Sequence, residues 1–261
     1  MATIIKTKKI TVIDTGRRMY LPPEIDEEIK SNWNELLEKL PWLFNGPVFS
    51  TSKMENNDGE VTLYCEHSDY ANYQYYQTKD LGEYGCKNTY AGCLLVSSDQ
   101  RYFLSLNGNG SENKGKIQFI GGVMDPEDLY EGAAGGESAD ASQGASSEGK
   151  LPEVRLDPIV TARRELGEEA GTAIRDSIVS TGDTYLITNG KKYGIQTIFR
   201  SSMDSKEILA AFEEFKRASG NEEIAGLISF AKDNVEELKE YADRHDIGVI
   251  DLVTDIIHAN A

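Results

Sequence analysis

Arg164, Glu165, Glu168 and Glu169 fall within about two helical turns of the stretch "ARRELGEEAGT", Ala162 to Thr172. On a helix, positions i, i+3 and i+4 share one face, so three carboxylates would project from neighbouring points. Like charges at that spacing cost an isolated helix roughly 0.2–0.5 kcal/mol per pair. Either the face is simply solvated or something offsets the repulsion. Hard Mg²⁺ would do so: it prefers carboxylate and water oxygens and keeps part of its hydration shell, which leaves positions for phosphate oxygens. Arg164 can pair with an acid and fix its orientation, while Ala162 and Leu166, four apart, give the helix a packing edge.

The elements around this stretch must position it. Asp157 is placed to cap the helix, Pro158 to occupy its first turn and Gly171 to end it. Upstream, "KIQFIGG" reads as a short strand ending in paired glycines, and "YAGCLLVSSDQRYFLSLNGNG" as a β-hairpin. Residues 129 to 156, rich in Gly, Ala and Ser, offer no apolar face and read as a flexible insertion. Downstream, "SIVSTGDTYLIT" and "KKYGIQTIFRSSM" read as strands joined at Asn189-Gly190. The helices "SKEILAAFEEFKRASG" and "DNVEELKEYADRHD" flank "NEEIAGLISFA". Nearer the start, "KKITVIDTG" reads as a strand, "PPEIDEEIKSNWNELLEKL" as a helix and "EVTLYCEH" as a strand, with a turn at Asn45-Gly46. The pattern predicts an α+β fold, a mixed sheet covered by helices.

Charge and composition narrow the functions. A net charge of -17 gives no electrostatic support for binding a phosphate backbone, so nucleic acid is not an expected partner. An acidic chain that handles a small anionic substrate needs a cation to offset the repulsion. Cys65, Cys86 and Cys93 form no CxxC pair and, with His67, His245 and His258, offer no soft-metal framework. They read as reduced, packed thiols. No apolar run reaches the ~20 residues of a membrane helix, and the start lacks a secretory core, so no membrane is expected and the cytoplasm is the default compartment.

"RRELGEEAGT" resembles the second half of the Nudix box, G-x5-E-x7-R-E-U-x-E-E-x-G-U with U aliphatic. Arg164, Glu165, Leu166, Glu168, Glu169 and Gly171 match, and Thr172 departs from the last aliphatic position. "FIGGVMDPED" is similar to the family's strand and glycine turn. A count from Gly122 puts Asp128 at the first box acid, a count from Gly121 puts Glu127 there, and both assignments stay open. The spacer from Leu129 to Arg163 is about 28 residues too long, which the insertion accounts for at small entropic cost. The resemblance covers about Tyr90 to Phe230. It implies a Nudix-type mixed sheet sandwiched between helices in residues 90–261, preceded by an α/β extension in residues 1–89.

What the resemblance implies about chemistry is a Mg²⁺-dependent hydrolase, with Mn²⁺ as the alternative ion, that cleaves the pyrophosphate of a nucleoside diphosphate linked to another moiety. Glu168 and Glu169 would be metal ligands, Glu165 a ligand or the group that deprotonates water, Arg164 its orienting partner, and the Gly122 carbonyl a further ligand. Some members use a downstream glutamate as general base, and Glu222 and Glu223 stand in a suitable loop. The N-terminal block is similar to that of Nudix proteins acting on nucleotide sugars, which makes a nucleotide sugar or ADP-ribose-like compound the expected substrate. Tyr70 and Tyr73, from the tyrosine-rich "SDYANYQYYQT", would then stack or enclose the nucleoside. Two other readings are a Nudix-fold module that binds a nucleotide without cleaving it and an interaction protein with an acidic surface helix. Many relatives are dimers, so a homodimer is among the expectations.

Overall fold

The computed structural model describes residues 3–109, 111, 113–129, 154–232, 234–249, 253 and 257. The chain opens with two strands where the sequence suggests one, β1 (Thr3–Thr7) and β2 (Lys9–Arg18). They part at Lys8, whose amide donates to the Gly59 carbonyl at 2.8 Å. Helix α1 (Pro23–Lys39) has proline in its first turn and buries Ile29 and Trp33. It packs on α2 (Tyr70–Thr78), which Asp69 caps by accepting from the Asn72 amide.

Between these helices lie β3 (Pro47–Asn57) and β4 (Glu60–Asp69), an antiparallel pair turned by Asp58 and Gly59 at φ +52° and +87°. The sequence marks only a turn near the start of β3. Its tail, "SKMENN", is polar and largely exposed, so the strand carries no alternation to betray it. Then come β5 (Asn88–Val96), β6 (Arg101–Asn107), β7 (Lys116–Gln118), β8 (Ile120–Val123), β9 (Val154–Leu156), α3 (Pro158–Ala170) and α4 (Thr172–Asp176). The remainder is β10 (Ile178–Thr188), β11 (Lys192–Ser201), α5 (Ser205–Ser219), β12 (Ile224–Ala231), α6 (Val235–His245) and β13 (Gly248–Val249).

The described strands form one mixed hydrogen-bonded network, with the order β1-β10-β11-β5-β3-β4-β2-β9 along its main path. β5 is its branch point. One edge of β5 pairs in parallel with β11 from Asn88 to Val96, while the other meets β3 at Asn88–Thr89, β8 at Tyr90–Cys93 and β6 at Leu95–Val96. Alternation along β5 then feeds two cores. Cys93 and Leu95 pack with α3 and α5 through Ala162, Leu166 and Phe212, whereas Leu94 and Val96 pack with α6 through Val235 and Leu238. The strands of the first 89 residues join the same network where β1 meets β10, β3 meets β5 and β2 meets β9.

Residues 130–153, most of the expected flexible insertion, lie outside the described residues. The edges of that segment are structured, in contrast to the reading of 129 to 156 as a loop. Val154–Leu156 form β9 against β2, Leu129 bridges to Leu156, and the Asp157 amide donates to the Asp128 carbonyl at 2.8 Å. The partner that orders β9 is about 140 residues upstream, beyond the reach of local pattern. Of the closing segment, only Val253 and Ile257 after Val249 are described, and both are buried. Among the described residues no helix is long and apolar enough to cross a membrane.

Candidate active site

Helix α3 forms as its end signals predict. The Asp157 carboxylate accepts from the Ile159 amide at 2.8 Å, Pro158 starts the helix, and Gly171 ends it at φ +105°. Ala162, Leu166 and Ala170 are fully buried against β5 and Phe199, and each large apolar side chain so buried contributes roughly 1.5–3 kcal/mol. This packing sets the depth of each acid. Glu169 is 6% exposed, the Glu165 side chain 12% and the Glu168 side chain 59%. The stripe therefore runs from the interior to solvent.

The paired glycines belong to strand β8 and do not form the expected turn. A Cβ on Gly121 would lie 2.4 Å from the Ala91 carbonyl oxygen and from Gly92 Cα, so only glycine lets β8 lie this close to β5. A Cβ on Gly122 would lie 2.5 Å from Glu165 Oε2, which places the Glu165 carboxylate directly over Gly122. Glutamate helix and glycine strand thus form one corner.

Arg164 closes that corner. Its Nη1 donates to Glu165 Oε1 at 2.8 Å and to Glu168 Oε2 at 3.2 Å, and its Nη2 donates to the Val123 carbonyl at 3.0 Å. Nε and Nη2 also donate to the two carboxylate oxygens of Asp128. Asp128 further accepts from the Thr161 hydroxyl and the Asp125 amide, each at 2.8 Å. Of the two acids left open by the sequence, it is Asp128 that reaches Arg164, and both its oxygens are committed there. Glu127 is exposed.

Burial raises the Glu165 carboxyl to about 7; Glu168 and Glu223 add to the rise, and Arg164 opposes it. Burial pushes Glu169 well above the carboxylate range, helped by the charges of Glu223 and Glu165 and opposed by the Gly121 amide. Glu223 is raised by desolvation and then by Glu168. Glu223, not Glu222, is thus the loop acid whose charge acts on this pair. Its loop is pinned to α3 and the sheet: Asn221 Nδ2 donates to the Glu168 carbonyl at 3.1 Å, Asn221 Oδ1 accepts from the Glu223 amide at 2.7 Å, and the Gly108 amide donates to the Glu223 carbonyl at 2.7 Å.

Glu169 Oε2 is buried and has no hydrogen-bond partner among the described residues. An orphaned carboxylate oxygen beside further acids is a donor set that suits a hard divalent cation. Among the described residues no three His, Cys, Asp or Glu side chains are gathered as a ready cation cluster, and Glu165 and Glu168 are turned to Arg164. The three cysteines are free and buried, and His67 bonds Asp14 at 2.9 Å and packs edge-on to Phe49.

A cavity of about 250 Å³ adjoins the glycines, with Tyr70, Tyr73, Asn88, Gly122, Lys192 and Gln196 among its lining residues. α2 divides its tyrosines between two tasks. Tyr76 is buried and Tyr75 donates to Glu28 at 3.0 Å, while Tyr70, edge-on to Trp33 and 5.8 Å from Tyr73 between ring centroids, lines the cavity together with Tyr73. Asn88 and Gln196 are lining residues that the sequence reading misses. No local signal marks them: Asn88 opens its strand beside Thr89, and Gln196 lies in a strand that also carries Lys192, Thr197 and Arg200. No family model matches the chain, and a search of curated proteins finds no match.

Proposed function

We propose that the chain is a Nudix-type, Mg²⁺-dependent hydrolase that cleaves the pyrophosphate of a nucleoside diphosphate linked to another moiety, a nucleotide sugar or an ADP-ribose-like compound. The observation that carries the reading is the corner itself. A buried, unpartnered Glu169 oxygen and the Glu165 carboxylate stand against the Gly121-Gly122 strand, with Asp128 and Arg164 fixing the geometry. Glu165, Glu168, Glu169 and the Gly122 carbonyl are the groups that would hold Mg²⁺ or Mn²⁺. Such an ion, when bound, polarises phosphoryl oxygens, lowers the pKa of water and neutralises the pyrophosphate.

The chain's own residues supply the rest. Water attacks phosphorus, the bond from phosphorus to the leaving oxygen breaks, and a carboxylate takes the proton of the water. Glu223 and Glu165 are the candidates for that acceptor. Burial brings Glu165 to about 7 and raises Glu223, and a base titrating near the working pH transfers protons most effectively. Arg164 acts through Glu165 and Glu168 as a positioning residue. Tyr70 and Tyr73 would enclose the nucleoside in the adjoining cavity. The interrupted spacer is the reason to weigh a non-catalytic nucleotide sensor, and the contact of Asp128 with Arg164 across that spacer supports the enzyme instead.

The test is a panel of nucleotide sugars, dinucleotides and nucleoside triphosphates incubated with and without Mg²⁺. Metal-dependent turnover that Glu169→Gln removes supports the hydrolase. Binding without products supports the sensor.

A further inference from the structure

The floor of the cavity follows from the pairing of β5 with β11. The parallel register sets Asn88 beside Lys192, Tyr90 beside Gly194 and Gly92 beside Gln196, and positions two apart share a face. Each glycine in this set makes room for the side chain across from it. A Cβ on Gly194 would lie 2.4 Å from the Tyr90 hydroxyl, and one on Gly92 would lie 2.8 Å from Gln196 Oε1. Tyr90 and Gln196 therefore lie across the neighbouring strand, over Gly194 and Gly92.

Two polar atoms in this floor are unexplained. Asn88 is 6% exposed and Gln196 3%, yet neither Asn88 Oδ1 nor Gln196 Oε1 meets a hydrogen-bond donor among the described residues. Leaving a buried carbonyl unpaired costs about 1–3 kcal/mol, and folded chains rarely tolerate it without a role. Both residues are among those that line the same cavity. The two positions lie four residues apart along neighbouring parallel strands, about 14 Å between Cα atoms, which a base together with its sugar can span and a single ring cannot.

The ends of the floor differ. At the Asn88 end, Lys191 donates to the Tyr76 carbonyl and so holds α2, with Tyr70 and Tyr73, against the start of β11. At the other end, Gln196 pairs with Gly92, which in turn pairs with Gly121 beside the glutamates. We infer that Asn88 and Gln196 determine specificity for the nucleoside half of the substrate: Asn88 hydrogen-bonds the edge of a nucleobase held by the two tyrosines, and Gln196 accepts from a sugar hydroxyl on the side nearer the phosphates. The orientation rests on the hydrolase reading, whereas recognition of the nucleoside requires no hydrolysis.

Calorimetric titration of the full chain without divalent metal, using the four ribonucleosides, their 2′,3′-dideoxy forms and free ribose, tests the assignment. At least one ribonucleoside should bind more tightly than ribose. Asn88→Leu should abolish the preference among bases, and Gln196→Met the preference for the ribo over the dideoxy form, each by about tenfold or more. In the wild-type chain the side-chain amide resonances of Asn88 and Gln196 should shift on adding the nucleoside, a readout that does not depend on how the variants fold. Absence of nucleoside binding, unmoved amide resonances, or preferences unchanged in folded variants would overturn the assignment. If Mg²⁺-dependent turnover persists beside such a failure, only this inference is lost. Nucleoside binding without turnover of any nucleotide leaves it standing and removes the hydrolase.

Discussion

Asp128 and Arg164, 36 residues apart in the chain, meet through two hydrogen bonds, Nε to Oδ1 at 3.2 Å and Nη2 to Oδ2 at 3.1 Å. The pair closes the glutamate corner from behind. Because Leu129 bridges Leu156 and the Asp157 amide bonds the Asp128 carbonyl, the residues that flank the segment between lie side by side. The length of that segment therefore need not disturb the contact.

Replacing Asp128 by alanine should take from the Arg164 guanidinium two of its hydrogen bonds, from the Thr161 hydroxyl its shorter one and from the Asp125 amide its carboxylate acceptor. Breaking a buried pair typically costs 3–5 kcal/mol, and with Arg164 one-third exposed the expected loss is about 2–3 kcal/mol in urea unfolding. Unchanged stability would mean that the clamp contributes nothing.

The raised carboxyls make stability depend on pH in a definite direction. Glu165 has a folded pKa of about 7 against about 4.3 unfolded, so between those values the native state holds the extra proton. Stability in chelator should be highest on the acid side of that window and fall as pH rises through 7, by on the order of 3 kcal/mol for Glu165. Glu169 extends the loss in the same direction. Mg²⁺ should restore stability at pH 8, and thermal melts across pH with and without the ion would detect it.

Glu169→Gln should reduce kcat on the order of a hundredfold or more while raising stability in chelator at pH 8, since the amide removes a buried charge and keeps the shape. Turnover near the wild-type rate would remove Glu169 from the set of ligands.

Gly122→Ala would push a Cβ into the Glu165 carboxylate, which must move. The expected result is a loss of turnover with little change in the affinity for nucleoside. Gly121→Ala meets backbone on β5 instead, so it should destabilise the fold by about 2 kcal/mol or more. The order of the two effects in paired activity and melting measurements distinguishes them.

Tyr70→Ala and Tyr73→Ala should raise KM for a nucleotide sugar, by about tenfold for a lost stacking or enclosing contact, with a smaller change in kcat. Unchanged kinetics would detach the cavity from the substrate.

Local chemistry explains what could be read in advance. The caps of α3, the helical spacing that unites Glu165, Glu168 and Glu169, and the hairpin of β10 and β11 around Asn189-Gly190 depend on residues a few positions apart. The sequence alone therefore determined that three acids share a stripe. Which of them is buried depended on the sheet beneath, because exposure is a property of the contact between elements. Tertiary structure chose Asp128 over Glu127 as the acid that reaches Arg164, and Glu223 over Glu222 as the acid acting on the buried pair. Each choice turned on strands or loops that meet across tens of residues. The same holds for the unpaired amides of Asn88 and Gln196, polar side chains whose lack of partners became visible only when β5 and β11, about a hundred residues apart, were laid side by side.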